Sequence, residues 1–265
     1  MKKLASRLAR TVAPPLVVFV VFVLAWHGLT VWLETPKYLV PGPWLVMEAA
    51  LDHARELLGA IGLTAAAAVC GLLASFIAGS LIAFVFSQSA MIQRSFYPYA
   101  IFLQTVPIVA IAPLIILWFD TGFQSVVLVS FIISLFPIIT NGTAGLTDVD
   151  RNLIELFEIN NATRRQVLLK LRIPNAVPYM VTGAKISSGL SVIGAIVGEF
   201  FAGYQVSRFG LGYVIILTKG TLDTAYLFAA IFASTLLGLV IFGAVSLIGN
   251  AITSRWRGIG DGSGH

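Results

Sequence analysis

The sequence predicts an all-α integral membrane protein of about six transmembrane helices, with a long cytoplasmic loop between spans four and five. Three observations carry this. Of 265 residues, 58% are hydrophobic and only 11% charged, where soluble domains carry about 25%. So few charges could not cover a surface facing water. Six segments supply the roughly 20 apolar residues that cross about 30 Å of hydrocarbon. One connection departs sharply in composition from everything around it.

The spans fall at 14–33, 61–86, 96–118, 123–142, 181–203 and 226–250. Lys2, Lys3, Arg7 and Arg10 precede the first, as in a secretory signal. Its apolar stretch is too long for one, and no small-x-small cleavage site follows. It is therefore expected to stay as a span. With the N-terminus inside, twelve of the seventeen Lys and Arg residues lie in cytoplasmic segments and four outside, Lys185 falling within span five. That bias places both termini in the cytoplasm. The layout is an N-terminal segment at 1–13, a transmembrane domain at 14–250 carrying a cytoplasmic loop at 147–180, and a tail at 251–265.

The net charge of +5 follows from this topology and calls for membrane lipid rather than nucleic acid as its partner. Cys70 is the single cysteine, and His27, His53 and His265 lack ligand spacing. No metal site, disulfide framework or cofactor is expected. Trp26, Trp32, Trp44, Trp118 and Trp256 suit interfacial anchoring.

Within the spans, Pro107 and Pro113 interrupt the third and Pro137 the fourth, each removing a backbone hydrogen bond. These prolines mark either static kinks or bends beside a pathway. Gly183, Gly189, Gly194, Gly198 and Gly203 make span five rich in small residues suited to close helix packing. Lys185 near the inner end of span five can snorkel. Glu199 near its outer end is an intramembrane carboxylate that either pairs with a cation or lines a pathway exit. Asp120 belongs to a solvated turn. Segment 204–225 is too short to span and is expected to be re-entrant or interfacial on the outer side.

In the 147–180 loop, charges interleave with apolar residues. A first short helix starts near Asp148 or Asp150 and runs to about Ile159, with Leu153, Leu156 and Phe157 on one face. Asn160-Asn161 breaks it, since Asn tolerates the left-handed conformation. A second helix begins at Thr163 and continues to about Leu171, with Val167, Leu168 and Leu171 as its apolar stripe. Pro174 is expected to end it, and Pro178 to keep the chain irregular up to span five. Such helices either lie on lipid or dock a cytosolic partner.

The loop resembles the EAA loop of binding-protein-dependent ABC permeases: Glu-Ala-Ala, three residues, Gly, nine residues, Ile-x-Leu-Pro. Glu155 takes the acidic position, Leu156-Phe157 the two alanines, Asn161 the glycine, Leu171 and Ile173 the apolar pair, and Pro174 the proline. The spacing is kept; the alanines and the glycine are not. The stretch 105–119, Phe136-Pro137-Ile138, Gly145-Leu146 through Val149-Asp150, Gly198-Glu199 and Phe209-Gly210-Leu211-Gly212 are similar to permeases of the nitrate, sulfonate, taurine and thiamine-precursor branch. The likeness covers roughly residues 60–250.

The resemblance implies a permease subunit of a bacterial inner-membrane importer. A second permease copy would complete the pathway, a cytosolic ATP-binding subunit would receive the loop, and an extracytoplasmic solute-binding protein would deliver substrate. Glu155, Asn161, Arg164, Arg165 and Pro174 would serve ATPase docking; Pro107, Pro113 and Glu199 are pathway candidates. No G-x-x-x-x-G-K-[ST] occurs, so the chain is expected to be a transport subunit without its own ATPase or catalytic residues. A stand-alone secondary transporter is the alternative, but it calls for internal repeats and more midplane charge. The substrate stays open among nitrate, sulfonates, taurine and a pyrimidine precursor.

Overall fold

The computed structural model describes residues 2–119, 122–202 and 209–257, and these are nearly all helical. In chain order they form α1 (Lys2–Trp32), α2 (Pro43–Asp52), α3 (Ala54–Gln88), α4 (Ala90–Thr105), α5 (Ile108–Phe119), α6 (Phe123–Thr147), α7 (Arg151–Ile159), α8 (Arg164–Val167), α9 (Ile173–Ala202), α10 (Leu211–Thr221) and α11 (Thr224–Arg257). A π-turn, Leu168–Arg172, joins α8 to α9. Among the described residues, four helices are long and apolar enough to cross a membrane: α3, α6, the run Arg164–Ala202, and α11. The bent pair α4–α5 raises this to five, and Leu16–Trp32 in α1 is a shorter apolar stretch. The expected count of six is not reached by this criterion.

Two compact units separate, Met1–Leu58 with Val214–Phe232, and Gly59–Tyr213 with Ala233–His265. In the first, Trp26 stacks on Phe228 and Phe232 at centroid distances of 6.0 and 5.7 Å. Trp26 thus packs inside its unit, whereas Trp32, Trp44 and Trp118 are exposed. His53 stacks on Tyr226 at 4.2 Å, and the Thr224 hydroxyl donates to the Tyr38 carbonyl at 2.8 Å. The helix α2 was not foreseen. Its signal is Pro43 directly after Gly42, a proline at the first helical position where the missing N–H costs nothing.

The second unit is organised on α6 and α9. Small residues let these two backbones approach closely. A Cβ added to Gly194 would stand 2.7 Å from the Ser130 Cα, and one added to Gly145 would stand 2.8 Å from the Ala176 Cα. Hydroxyls tie the seam: Ser130 Oγ donates to the Ser191 carbonyl at 2.8 Å, and Ser187 Oγ to the Ser134 carbonyl at 2.6 Å. Gly183, Gly194 and Gly198 of the small-residue stripe face α6; Gly189 faces open space, and Gly203 lies outside the described residues. Ala112, Ile115, Val129 and Val197 close the seam on the α5 side.

Two sequence expectations are corrected. Span three does not run straight through 96–118. It breaks at Val106–Pro107, and α4 and α5 are bent by 94°. Proline pushes the preceding residue out of the helical region, and Val106 is extended at φ −71°, ψ 124°. Pro98 and Pro113 stay inside their helices. Second, Pro174 does not end the loop helix. Arg164–Ala202 is helical throughout, with Pro178 inside α9. The wide π-turn takes up the proline: the Ile173 N–H reaches five residues back, to the Leu168 carbonyl. Pro174 then sits second in α9, within a first turn where its missing N–H is tolerated.

Candidate functional site

The loop predicted to dock a partner is two capped helices on a fixed base. Asp150 caps α7, its carboxylate accepting from the Asn152 N–H at 2.9 Å. Asn161 ends that helix with φ 53°. Its N–H donates to the Glu158 carbonyl at 2.9 Å, and the Ala162 N–H to the Phe157 carbonyl at 3.0 Å. This double closure needs a left-handed residue after the helix, normally Gly and sometimes Asn. Thr163 then starts α8 with a capping box: its hydroxyl accepts from the Gln166 N–H at 3.3 Å, and the Gln166 side chain accepts from the Thr163 N–H at 2.8 Å.

The base is pinned at three points. Asn175 Nδ2 donates to the Gly145 and Asp148 carbonyls at 2.8 and 3.0 Å. Tyr179 donates to the Asp148 carboxylate at 3.1 Å. Arg172 Nη1 donates to the Ser87 carbonyl at 3.3 Å, tying the loop to the last turn of α3, next to the α3–α4 connection. Thus α7 and α8 sit at the same end of the unit as that connection.

Glu155 lies on exposed α7 and pairs with its own helix neighbour Arg151 at 3.1 Å. Arg164 and Arg165 are exposed on the first turn of α8. Among the described residues, α7 buries no side chain; Ile154 and Phe157 are half-covered, while Leu153, Leu156 and Ile159 stand out, Ile159 at 78% exposure. The loop candidates therefore gather in one element. Asn161 gives a direct test of that element's rigidity. Asn161→Gly should leave it intact, while Asn161→Val should cost about 1–2 kcal/mol at the left-handed position. Limited proteolysis of the purified protein should cut the Val variant in the loop and spare the Gly variant.

Glu199 lies far from the loop, 26 residues along α9 from Ile173, which is about 39 Å of helix. It is buried. Thr64 Oγ1 donates to its carboxylate at 2.8 Å, and the Gly212 N–H does so at 2.8 Å. The Leu211 N–H donates to Thr64 Oγ1 at 2.9 Å. Two family-like segments, Gly198-Glu199 and Phe209–Gly212, thus meet at one carboxylate that holds the first turn of α10. Gly210 leaves no room for a Cβ against that carboxylate. Thr64 could not be found from sequence, standing 135 residues away with no local pattern. Segment 204–225 contains α10, a short apolar helix as expected, while its residues 204–208 lie outside the described residues, as do Asp120 and His265. Trp256 is placed only as a backbone position in α11. The Lys185 Nζ donates to Asn250 Oδ1 at 2.9 Å.

The chain is 32% identical over 244 residues to a formylaminopyrimidine transport permease protein, ThiX, of Halalkalibacterium halodurans, covering 92% of this chain and 95% of that one. It is 38% identical over 154 residues to a riboflavin transport system permease protein, RibX, of Chloroflexus aurantiacus, covering 58% and 56%. Lower-identity relatives include nitrate and aliphatic-sulfonate permeases, the branch the sequence resembles. Its fold matches a chain of an inward-facing MetNI methionine ABC transporter structure with TM-score 0.64 at 17% identity, over 76% of this chain and 98% of that one. Residues 71–255 match the family described as the binding-protein-dependent transport system inner membrane component, and the chain, a multi-helix membrane permease, belongs to that family.

Proposed function

We propose that this chain is the translocation subunit of an ABC importer of the bacterial inner membrane, with both termini in the cytoplasm. A second copy completes the pathway, an external binding protein delivers the solute, and a separate cytosolic subunit binds and hydrolyses ATP. The observation that carries the proposal is the uncovered apolar face of α7 (Leu153, Leu156, Ile159), presented on a capped, pinned base. Arg164 and Arg165 add cations at a helix start, where the macrodipole disfavours them. Their position suits an acidic partner surface rather than the helix itself. Glu155, Asn161 and Pro174 set the shape of the same element.

The pathway is assigned to the side on which the α4–α5 break opens, with Pro107 at the break and Pro113 within α5. Glu199 anchors α10 at the far end of α9. For the solute, the pyrimidine and riboflavin permeases among the relatives favour a small uncharged nitrogen heterocycle, with formylaminopyrimidine as first candidate.

The test is co-purification. The tagged permease, co-expressed with the ATPase and solubilised in mild detergent, should bring that ATPase down. Leu156→Glu with Ile159→Glu should abolish capture while the permease still elutes as a folded dimer. If the wild type captures no ATPase, or the double variant captures it undiminished, docking through α7 is wrong and a stand-alone carrier becomes the better account.

A further inference from the structure

An open groove of about 590 Å³ runs between α3, α9 and α11 in the second unit. Phe76 and Phe84 come from α3, Val177 and Met180 from α9, and Ile248 and Ile252 from α11. Gly249 lets α11 come close to α9: a Cβ added there would stand 2.4 Å from Val181 Cγ1. Among the described residues, no charged side chain lines the groove, and Ser80 is its one polar side chain. The Ser80 hydroxyl donates within its own helix, to the Phe76 carbonyl. An occupant must therefore be apolar along its length.

The size of the groove selects among apolar occupants. On α9 it runs from Ile173, the first residue of the helix, to Ala184, 11 residues on. At 1.5 Å per residue that is about 16 Å. One leaflet's share of a hydrocarbon layer about 30 Å thick is nearly the same length. A helix is about 10 Å across with its side chains, so 16 Å of one fills about 1,200 Å³. That is about twice the room present, whereas acyl chains are thinner and flexible enough to follow the walls.

One end of the groove is marked by positive charge. Ile173 directly follows Arg172, and Phe84 stands one turn before Ser87, whose carbonyl accepts from Arg172 Nη1 at 3.3 Å. The half-buried guanidinium is thus held at the loop-side end of the groove. It carries five N–H donors in a planar fork suited to phosphate. Among the described residues it forms no ion pair, and neither does Lys170 two residues before it nor Arg94 in the first half of α4. The Asp148 carboxylate, also at the loop side, is engaged by Tyr179, which lies outside the groove. At the other end Lys185 follows Ala184, its ammonium donating to Asn250 Oδ1 at 2.9 Å. Basic pockets between membrane helices are suited to anionic lipid headgroups.

We infer that this groove binds an anionic phospholipid, its headgroup phosphate on Arg172 and its acyl chains between α3, α9 and α11. The site is distinct from the α7 face assigned to the ATPase and does not depend on that assignment. A lipid seated there touches the base of the Arg164–Ala202 run and the two spans beside it, so it braces the loop from the membrane side.

The experiment is native mass spectrometry of the delipidated, detergent-purified full chain. It is titrated with palmitoyl-oleoyl phosphatidylglycerol and, separately, with the phosphatidylcholine of the same chains. The first phosphatidylglycerol should bind with a Kd about tenfold below that of phosphatidylcholine, as expected of a charge-assisted contact. Arg172→Gln should remove this preference. Lys185→Gln, a cation lost at the other end, should keep it. Ala184→Phe fills the groove while leaving Arg172 in place, so it should weaken phosphatidylglycerol binding several-fold, and it decides the matter if Arg172→Gln does not fold. Equal affinity for the two lipids, a preference that survives Arg172→Gln, or undiminished binding to Ala184→Phe would each overturn the site. If Ala184→Phe turns a dimer into a monomer with lipid binding unchanged, a second copy occupies the groove and the lipid site is wrong.

Discussion

Replacing Gly194 by alanine is expected to destabilise the protein by about 1–3 kcal/mol, the usual cost of overpacking a well-fitted interior. The added methyl would stand 2.7 Å from the Ser130 Cα and 2.6 Å from the Ile133 side chain. Backbone cannot step aside as a rotamer can, so α6 and α9 must separate. The Ser130–Ser191 and Ser187–Ser134 hydrogen bonds along the seam would lengthen with them. Gly238→Ala in α11 is the control, because nothing lies within 4 Å of its new methyl. There alanine should gain up to about 1 kcal/mol from helix propensity. The pair therefore makes the same chemical change with opposite signs. The fraction remaining monodisperse on size exclusion after graded heating in detergent should fall at lower temperature for Gly194→Ala and at equal or higher temperature for Gly238→Ala. Equal midpoints would mean that α6 and α9 do not meet as closely as described.

Glu199→Ala is expected to be comparably damaging, by a different route. It strands the Thr64 hydroxyl and the Gly212 N–H, both buried, and each orphaned group costs about 1–3 kcal/mol. Glu199→Gln keeps an acceptor for one of them and should lose less than Ala. Thr64→Val removes the second partner of the same carboxylate and the acceptor for the Leu211 N–H. Because Thr64 and Glu199 share one network, Thr64→Val with Glu199→Ala should cost less than the sum of the single changes. Midpoints of thermal aggregation for the four proteins of that cycle, measured in one detergent, check the expectation. Strict additivity would show that the two side chains do not interact.

What could be read from the chain itself divides along physical lines. Asn161 was legible because one residue's conformational tolerance decides the turn, and the observed φ of 53° is the expected left-handed one. Thr163 was legible because a cap involves only the next three residues. The apolar spans were legible because a bilayer demands continuous hydrophobic length. What failed needed partners from elsewhere in the chain. Proline's ordinary behaviour argued for a stop at Pro174, yet five residues of wider winding admit it and the helix continues. The sharp turn at Val106–Pro107 looked like one more kinked proline. The resemblance picked out Gly198-Glu199, but Thr64 and the start of α10 come to Glu199 only through the tertiary fold.

The π-turn has a mechanical consequence. Because Leu168–Arg172 merges the loop helix into α9, Arg164–Ala202 is a rod of 39 residues without a joint. Its length is about 58 Å at 1.5 Å per residue. Tilting such a rod by about 5° about its loop end sweeps the far end through about 5 Å, nearly one helical turn. That far end is where Glu199 grips α10. A small displacement at the base is therefore delivered, geared up and without slack, to the far end of the rod.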